Sequence, residues 1–328
     1  MSITEFNLIE KYFYQKKEQR KDVALGIGDD CALLNVPSGQ QLAITVDTMV
    51  ENVHFLPSLS PEDLAWKAIT VNLSDLAAMG AEPAWLTLAL TLPEANEAWL
   101  EAFSNSFFEC VDYYGIQLVG GDTTSGPLAV TIQAMGFTPL DSALKRSNAK
   151  PGDIICVTGN LGDAGLGLAI SLGKHTASSS EHKKTLIERF NRPTPRVAEG
   201  IALRNLASSA IDLSDGLAGD LMHILKESSV GAVVELDFLP ISDALLAECG
   251  QQQAVQFALS AGDDYELCFT IAEEHLENLG NAFKSTSCNF TQIGRIVGGN
   301  DLIYCSAGKE VKLELSGYKH FHDFSNSH

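Results

Sequence analysis

Residues 60–93, SPEDLAWKAITVNLSDLAAMGAEPAWLTLALTLP, carry one whole helix followed at once by one whole strand, and that succession decides the fold class. Ser60, Pro61 and Asp63 fill the N-cap, N1 and N3 positions in order, and Gly80 is a stop signal, so the spacing predicts a helix over 61–79. Leu64, Ala68, Val71 and Asp75 recur at steps of four, three and four, which puts them on one face. Asp75 is thereby predicted at the end of a packed stripe, where a carboxylate needs a reason. AWLTLALTLP (84–93) then reads as a strand.

Outward from this stretch the same alternation continues. Ser2 with Glu5 fits a capping box ahead of a helix carrying Phe6, Ile9 and Phe13, and DVALGIG and QLAITVDTMVE read as strands. Downstream come a helix over about 94–114 closed by Gly115, then strands IQLVGGDT and PLAVTIQAMGF. Residues 1–145 thus form a mixed α/β layer. The polar segment DSALKRSNAKPGD (141–153) is the linker, and residues 150–328 form a second α/β domain. In it, IICVTG, AVVELDF, YELCFT, IGRIV and LIYC are strands, and helices follow a Gly-rich turn, follow NRPTPRVAEG and occupy DLSDGLAGDLMHIL. NLSDLAAMG is echoed by DLSDGLAGD, and the next Gly-Asp lies 47 positions beyond Asp75 and 48 beyond Asp215, which raises the question of a duplication.

Composition narrows the class. Hydrophobic residues at 45% and charged residues at 20% support a globular chain of two cores at 328 residues. The N-terminus lacks a basic region followed by an apolar one, and no apolar run approaches the ~18 residues of a membrane span, which points to a cytoplasmic protein. Seven scattered cysteines without a C-x-x-C pair read as reduced thiols. A formal charge of −20 argues against nucleic acid or an anionic membrane as partner. An acidic protein binds anions only through cations, helix N-termini or a few well-placed basic groups.

The acids that stand out are Asp29, Asp30, Asp47, Asp75, Asp122, Asp212, Asp215, Asp263 and Asp264, each beside Gly, Ser or Thr at a strand end or in a helix. Singly, each is explained as a turn or cap residue. Together, carboxylates at neighbouring strand ends converge on a cleft, and two of them ~4 Å apart repel by about 4 kcal/mol at an effective dielectric of ~20. A bound cation relieves this, and aspartates with hydroxyls and carbonyls are hard ligands suited to Mg²⁺ or Mn²⁺, which add substrate phosphates to their shell. The set reads as a polyphosphate site. GLGLAISLGKH (165–175) fails the P-loop spacing, and VTGNLGDAGLG (157–167) reads as a tight turn in preference to a phosphate cradle. The histidines show no metal spacing and no G-x-S-x-G elbow occurs. Arg146, in the linker, is either a phosphate clamp or a solvated charge.

GIGDDCALL, TVDTMVENVHF, NLSDLAAMGAEP, LVGGDTT, IDLSDGL, AGDDYELCFT and GYKHF, in this order from residue 26 to residue 321, resemble the thiamine-monophosphate kinase family. The resemblance implies the two-domain fold shared with aminoimidazole ribonucleotide synthetase, a homodimer formed through the N-terminal domains, and ATP-dependent phosphorylation of thiamine monophosphate with several Mg²⁺ ions. It implies Asp30, Thr45, Val46, Asp47, Asp75, Asp122, Asp212 and Asp215 as metal ligands, with Val46 restricted to its backbone carbonyl. Gly121, Asp122, Arg146 and Ser214 would meet ATP, and His54, Asp263 and Tyr318 would line the acceptor site. No side-chain nucleophile or base is expected, because the acceptor phosphate is already largely ionised near pH 7. Three departures stand out: Asp263 where the family commonly has Glu, Ala261 for Gly, and Val46 where a hydroxyl residue is frequent. A synthetase activating another acceptor and a non-catalytic nucleotide sensor remain the alternatives. ADP production separates the enzyme from the sensor.

Overall fold

The structure, a computed structural model, describes residues 5–14, 20–286 and 288–313. The predicted capping box at Ser2 and the GYKHF motif with Tyr318 lie outside the described residues. The chain divides into two compact units, 1–144 with 191–205, and 145–190 with 206–328. Residues 191–205 therefore belong with the first unit.

In the first unit α1 (Glu5–Leu8) runs into a π-helical segment, Ile9–Phe13. β1 (Val23–Leu25) and β2 (Leu33–Leu34) form a short antiparallel ribbon. β3 (Gln40–Val50), α2 (Pro61–Ala78), β4 (Glu82–Leu92), α3 (Glu97–Tyr114), β5 (Gln117–Ser125) and β6 (Ala129–Pro139) follow. The sheet order is β3-β6-β4-β5, with β6 antiparallel to both neighbours and β4 parallel to β5 across the α3 connection. β3, β4 and β5 thus run in one direction, and their carboxyl ends share one edge. α2 starts as its sequence predicts: the Ser60 hydroxyl accepts from the Asp63 amide at 3.1 Å with Pro61 at N1. α3 begins at Glu97, three residues after the predicted start, because Asn96 caps it.

The predicted stripe on α2 is one part of a wider burial. Leu64, Ala68 and Val71 are buried, but so are Lys67, Thr70, Asn72 and Ser74 on other faces. The helix lies between the sheet on one side and α3 with the returning helix Val197–Leu203 on the other. Ile69, Leu73, Leu76, Leu86, Leu88, Leu90, Ile132, Phe103 and Phe107 share its core. Removing that much apolar surface from water, at about 25 cal/mol per Å², makes α2 a rigid mount.

The second unit contains β7 (Ile154–Thr158), α4 (Asp163–Ser171) and α5 (Ser180–Asn191), and the helix that returns to the first unit is α6 (Val197–Leu203). Then come β8 (Ala207–Asp212), α7 (Leu217–Ser228), β9 (Gly231–Glu235), α8 (Asp243–Ser260), β10 (Leu267–Ile271), α9 (Leu276–Phe283), β11 (Phe290–Val297), β12 (Leu302–Ser306) and β13 (Lys309–Val311). Their sheet, β13-β12-β9-β11-β7-β10-β8, is antiparallel except between β9 and β12. Reading strands by β-branched content missed β8, whose sequence is ASSAID; pairing with β10 and a buried 2.7 Å contact between the Ser209 and Thr270 hydroxyls hold it in place. Asp212 to Ser214, predicted within a helix, instead close β8 and lead into a loop. The echo is likewise resolved: Leu73-Ser74-Asp75 is the last turn of α2, whereas Leu213-Ser214-Asp215 lies between β8 and α7. The two copies occupy different structures, so the tripeptide marks no repeated unit.

Candidate active site

At the carboxyl end of β3, alternation sends Thr45 and Asp47 toward α2. The Thr45 hydroxyl donates to Asp75 Oδ2 at 2.5 Å. The Asp47 amide donates to Asn72 Oδ1 at 3.1 Å, and the Asn72 amide nitrogen is spent on the Ala68 carbonyl at 3.0 Å. Asn72, one turn before Asp75, therefore ties β3 to α2 through Oδ1, while its amide nitrogen bonds back within α2. Asp75 itself is half-buried at the end of the helix. Asp47 is raised from 3.8 to about 6, first by burial and then by the charge of Asp75. Two carboxylates whose mutual repulsion is already felt form a hard-oxygen donor pair that suits a divalent cation.

Other predicted residues of this unit stand apart from that pair. Residues directly opposed across strands share a face, and the row Thr48, Thr131, Ala89, Asp122 runs across β3, β6, β4 and β5. Asp122 therefore projects on the face away from α2, three strand spacings or about 14 Å from β3. It is exposed, as is Gly121 before it. Gly121 is required by close approach, since a Cβ there would stand 1.9 Å from the Leu88 carbonyl oxygen. Val46 also faces away from α2, exposed. Asp30 lies in an exposed turn where its amide donates to Asp29 Oδ1 at 2.9 Å. His54 sits in the turn after β3, with Nδ1 accepting from the Val50 amide at 3.0 Å. In the neutral ring this places the proton on Nε2, a donor for an anionic ligand.

In the second unit, Asp212 ends β8 and is buried, and Ser214 and Asp215 are exposed beyond it. The loop that precedes β10 is zipped to this one. Leu213 donates to the Glu266 carbonyl at 2.8 Å, Tyr265 donates to the Leu213 carbonyl at 2.8 Å, and Asp263 donates to the Ser214 carbonyl at 2.9 Å. Gly262, Asp263 and Tyr265 all hold left-handed backbone, with φ of 74°, 59° and 51°. For the two residues with side chains this costs on the order of 1–3 kcal/mol each, a cost that concentrates at functional loops. A Cβ at Gly262 would meet the Ser214 carbonyl oxygen at 2.4 Å, so the two loops approach more closely than any other residue allows. Arg146 is exposed and its charge acts on Asp220.

Two buried aspartates that the sequence reading left without a role hold these loops. Asp220 Oδ2 accepts from the Asp215 amide at 3.0 Å, and burial drives its carboxyl up to about 7. Asp264 Oδ2 accepts from the Gly162 amide at 2.8 Å, just ahead of α4. The Gly-rich turn thus offers its amide to an internal carboxylate, in keeping with a packed turn in place of a phosphate cradle. Asp220 could have been found in DLSDGLAGD as the third acid of the motif, five residues after Asp215. Asp264 was visible as an acid, but nothing in the sequence says that it faces inward.

Within this arrangement Thr45, Asp47 and Asp75 come together in one unit, and Asp212, Ser214, Asp215 and Asp263 lie on zipped loops in the other. Among the described residues, no group of three or more His, Cys, Asp or Glu side chains is gathered to hold a metal ion. Asp30 and Asp122 accordingly stay outside the Asp47–Asp75 pair. Hydroxyls and the Arg146 guanidinium can donate to phosphate oxygens, whereas the carboxylates can meet phosphate only through a cation.

Two family profiles match the chain, AIR synthase related protein, N-terminal domain, over residues 28–138, and the corresponding C-terminal domain over 150–304. The chain is 53% identical over 322 residues to the thiamine-monophosphate kinase of Escherichia coli strain K12, covering 98% of this chain and 99% of that one. A crystal structure of thiamine-monophosphate kinase from Stenotrophomonas maltophilia K279a is 47% identical with a TM-score of 0.83, covering 89% of this chain and 93% of that one. AaThiL complexed with AMPPCP and TMP is 32% identical with a TM-score of 0.77, covering 97% of each chain.

Proposed function

The chain belongs to the thiamine-monophosphate kinase family, and we propose that it transfers the γ-phosphoryl group of ATP directly to the phosphate of thiamine monophosphate, giving thiamine diphosphate and ADP. The similarity to AaThiL complexed with AMPPCP and TMP supports the pair of substrates. The Asp47–Asp75 pair on Thr45 is the observation that carries the chemistry, because burial first and the charge of Asp75 second raise the Asp47 carboxyl, and a cation would relieve both.

Mg²⁺, as several ions, is the cofactor that these hard oxygens fit; Thr45, the Val46 carbonyl, Asp47 and Asp75 would be the β3–α2 share of the ligands, and Asp30, Asp122, Asp212 and Asp215 would serve further ions. When bound, it supplies neutralisation of phosphate charge as two polyanions are brought together. The chain's own residues do the positioning. Gly121, Asp122, Arg146 and Ser214 receive the nucleotide, Arg146 through a planar guanidinium that matches phosphate oxygens. His54 offers its Nε2 proton to the acceptor, and Asp263 and Tyr318 line the thiamine end. A general base is unnecessary for a phosphate oxygen with a second pKa near 6, so catalysis reduces to in-line positioning and charge stabilisation.

In this reading residues 1–145 carry most of the metal and nucleotide ligands and the dimer contact, and residues 150–328 carry Asp212, Ser214, Asp215 and Asp263. The open face of β3 supports a homodimer: Leu42, Ile44 and Val46 project from this edge strand at 39%, 57% and 57% exposure, an apolar row that a second copy would cover. Cytoplasmic residence is supported by seven free thiols. No helix among the described residues is long and apolar enough to cross a membrane.

The test is incubation of the purified chain with ATP, thiamine monophosphate and Mg²⁺, with and without chelator, followed by chromatography. Thiamine diphosphate that disappears with chelator is the expected result. ADP without thiamine diphosphate would assign another acceptor, and well-folded protein that forms no ADP would leave a nucleotide sensor.

A further inference from the structure

The acceptor loop AGDDYE (261–266) sets a half-buried and a sealed aspartate side by side. Asp263 is half-buried on left-handed backbone, while Asp264 is almost wholly buried, with Oδ2 on the Gly162 amide at 2.8 Å. Two residues on, Glu266 is fully buried and both its oxygens are engaged: Oε2 accepts from the Thr158 hydroxyl at 2.7 Å and Oε1 from the Arg189 guanidinium at 2.8 Å. The Thr158 hydroxyl in turn accepts from the Leu267 amide at 2.8 Å. The loop is therefore pinned from beneath at 264 and 266, onto the turn that joins β7 to α4 and onto α5. From its other side the Ser214 and Leu213 carbonyls hold it by the amides of Asp263 and Tyr265.

This much fixation exceeds what a surface loop requires. Left-handed conformations at Asp263 and Tyr265 persist only where the surroundings over-determine them, and here they are determined from both sides. We propose that Asp264 is a positioning residue for the acceptor substrate: by anchoring to Gly162 it fixes the backbone of residues 262–265, and so aims Asp263 before any ligand arrives. The inference rests on reading Asp263 as an acceptor contact. Burial, with Asp163 and Glu266 nearby, pushes the Asp264 carboxyl well above the usual carboxylate range, so a neutral side chain of the same shape should serve as well. An Asn carbonyl can still accept from the Gly162 amide, whereas Ala leaves that amide without its acceptor.

The experiment compares Asp264→Ala and Asp264→Asn with the wild type in steady-state kinetics, varying thiamine monophosphate and ATP separately. The expected result is a KM for thiamine monophosphate raised about tenfold or more in Asp264→Ala, the KM for ATP within about twofold, and restoration to within about threefold in Asp264→Asn. Equal shifts in both KM values, no shift in either beside a lowered melting temperature, or an Asn variant as impaired as Ala would overturn the proposal and leave a purely structural role. Should Asp264→Ala not fold, hydrogen exchange of wild-type protein decides: the amides of Asp263 and Tyr265 are expected to be protected without substrate. Protection that appears only when thiamine monophosphate is added would overturn the pre-set loop. Protected amides in a chain that makes no thiamine diphosphate would instead sink the functional reading while leaving the anchor standing. Turnover with unprotected amides would do the reverse.

Discussion

Leu-Ser-Asp occurs twice in this chain, and the two copies hold their aspartate in opposite ways. Asp75 ends a helix buried on nearly every side and is fixed by the packing of α2, with Thr45 donating to its carboxylate. Asp215 lies exposed in a loop and is fixed through its backbone, by a buried Asp220 that takes its amide. One site is held by apolar burial and the other by a sealed hydrogen bond. A short motif names the chemistry that a position can perform, while its surroundings decide how the position is made rigid.

The comparison is broken most strongly at Asp75. Asp75→Asn keeps the helix and its cap but removes one charge from the pair, and kcat is expected to fall on the order of 10²- to 10³-fold, the scale for losing one preorganised charge-stabilising group. The magnesium-free variant should melt no lower than wild type at pH 8, because repulsion with Asp47 is gone; a variant with near-normal kcat would remove Asp75 from the site. On the loop side, Asp220→Ala leaves the Asp215 amide without its acceptor, a loss of about 1 kcal/mol. Steady-state kinetics should show roughly a tenfold fall in kcat, with Asp220→Asn restoring most of it.

Titration sharpens the contrast further. Asp47 binds its proton more tightly folded, at about 6, than at its ordinary 3.8. This contribution to stability is therefore fully present below about pH 4 and is lost as pH rises through about 6. Mg²⁺ should then raise the melting temperature at pH 7.5 by several degrees and hardly at all at pH 5, where the proton competes for the same oxygens. Asp75→Asn should flatten that pH dependence. The smallest effect is expected for Thr45→Val, which removes one hydroxyl donor from Asp75 and should weaken half-saturation by Mg²⁺ a few-fold at unchanged kcat, as measured by activity against metal concentration.

Much of the first unit was legible because its signals are local. Ser60, Pro61 and Gly80 bound α2 almost to the residue, and Gly115 closes α3 in a left-handed C-cap. The second unit was read less well. β8 has the composition of a loop, and α8 contains Gly250 in a non-helical conformation that interrupts its pattern. Asp75 was legible as a functional acid because a carboxylate at the end of an apolar stripe conflicts with its setting. Asp220 and Asp264 carry no such conflict on paper. Their inward orientation depends on the amides of Asp215 and Gly162 arriving from the chain before α7 and α4, and that is a property of the fold. Asp122 also looked equivalent to Asp47 from its strand-end position; the pairing register alone shows that it projects from the opposite face.

In the proposed reaction, carboxylates on β3 and α2 hold a divalent cation for phosphoryl transfer. Titration of the folded protein with Mn²⁺ at pH 7.5, with free ion followed by electron paramagnetic resonance, tests it most directly. Wild type is expected to deplete the free signal, and Asp75→Asn to lose at least one binding site. Equal site number and affinity in the two proteins would contradict it.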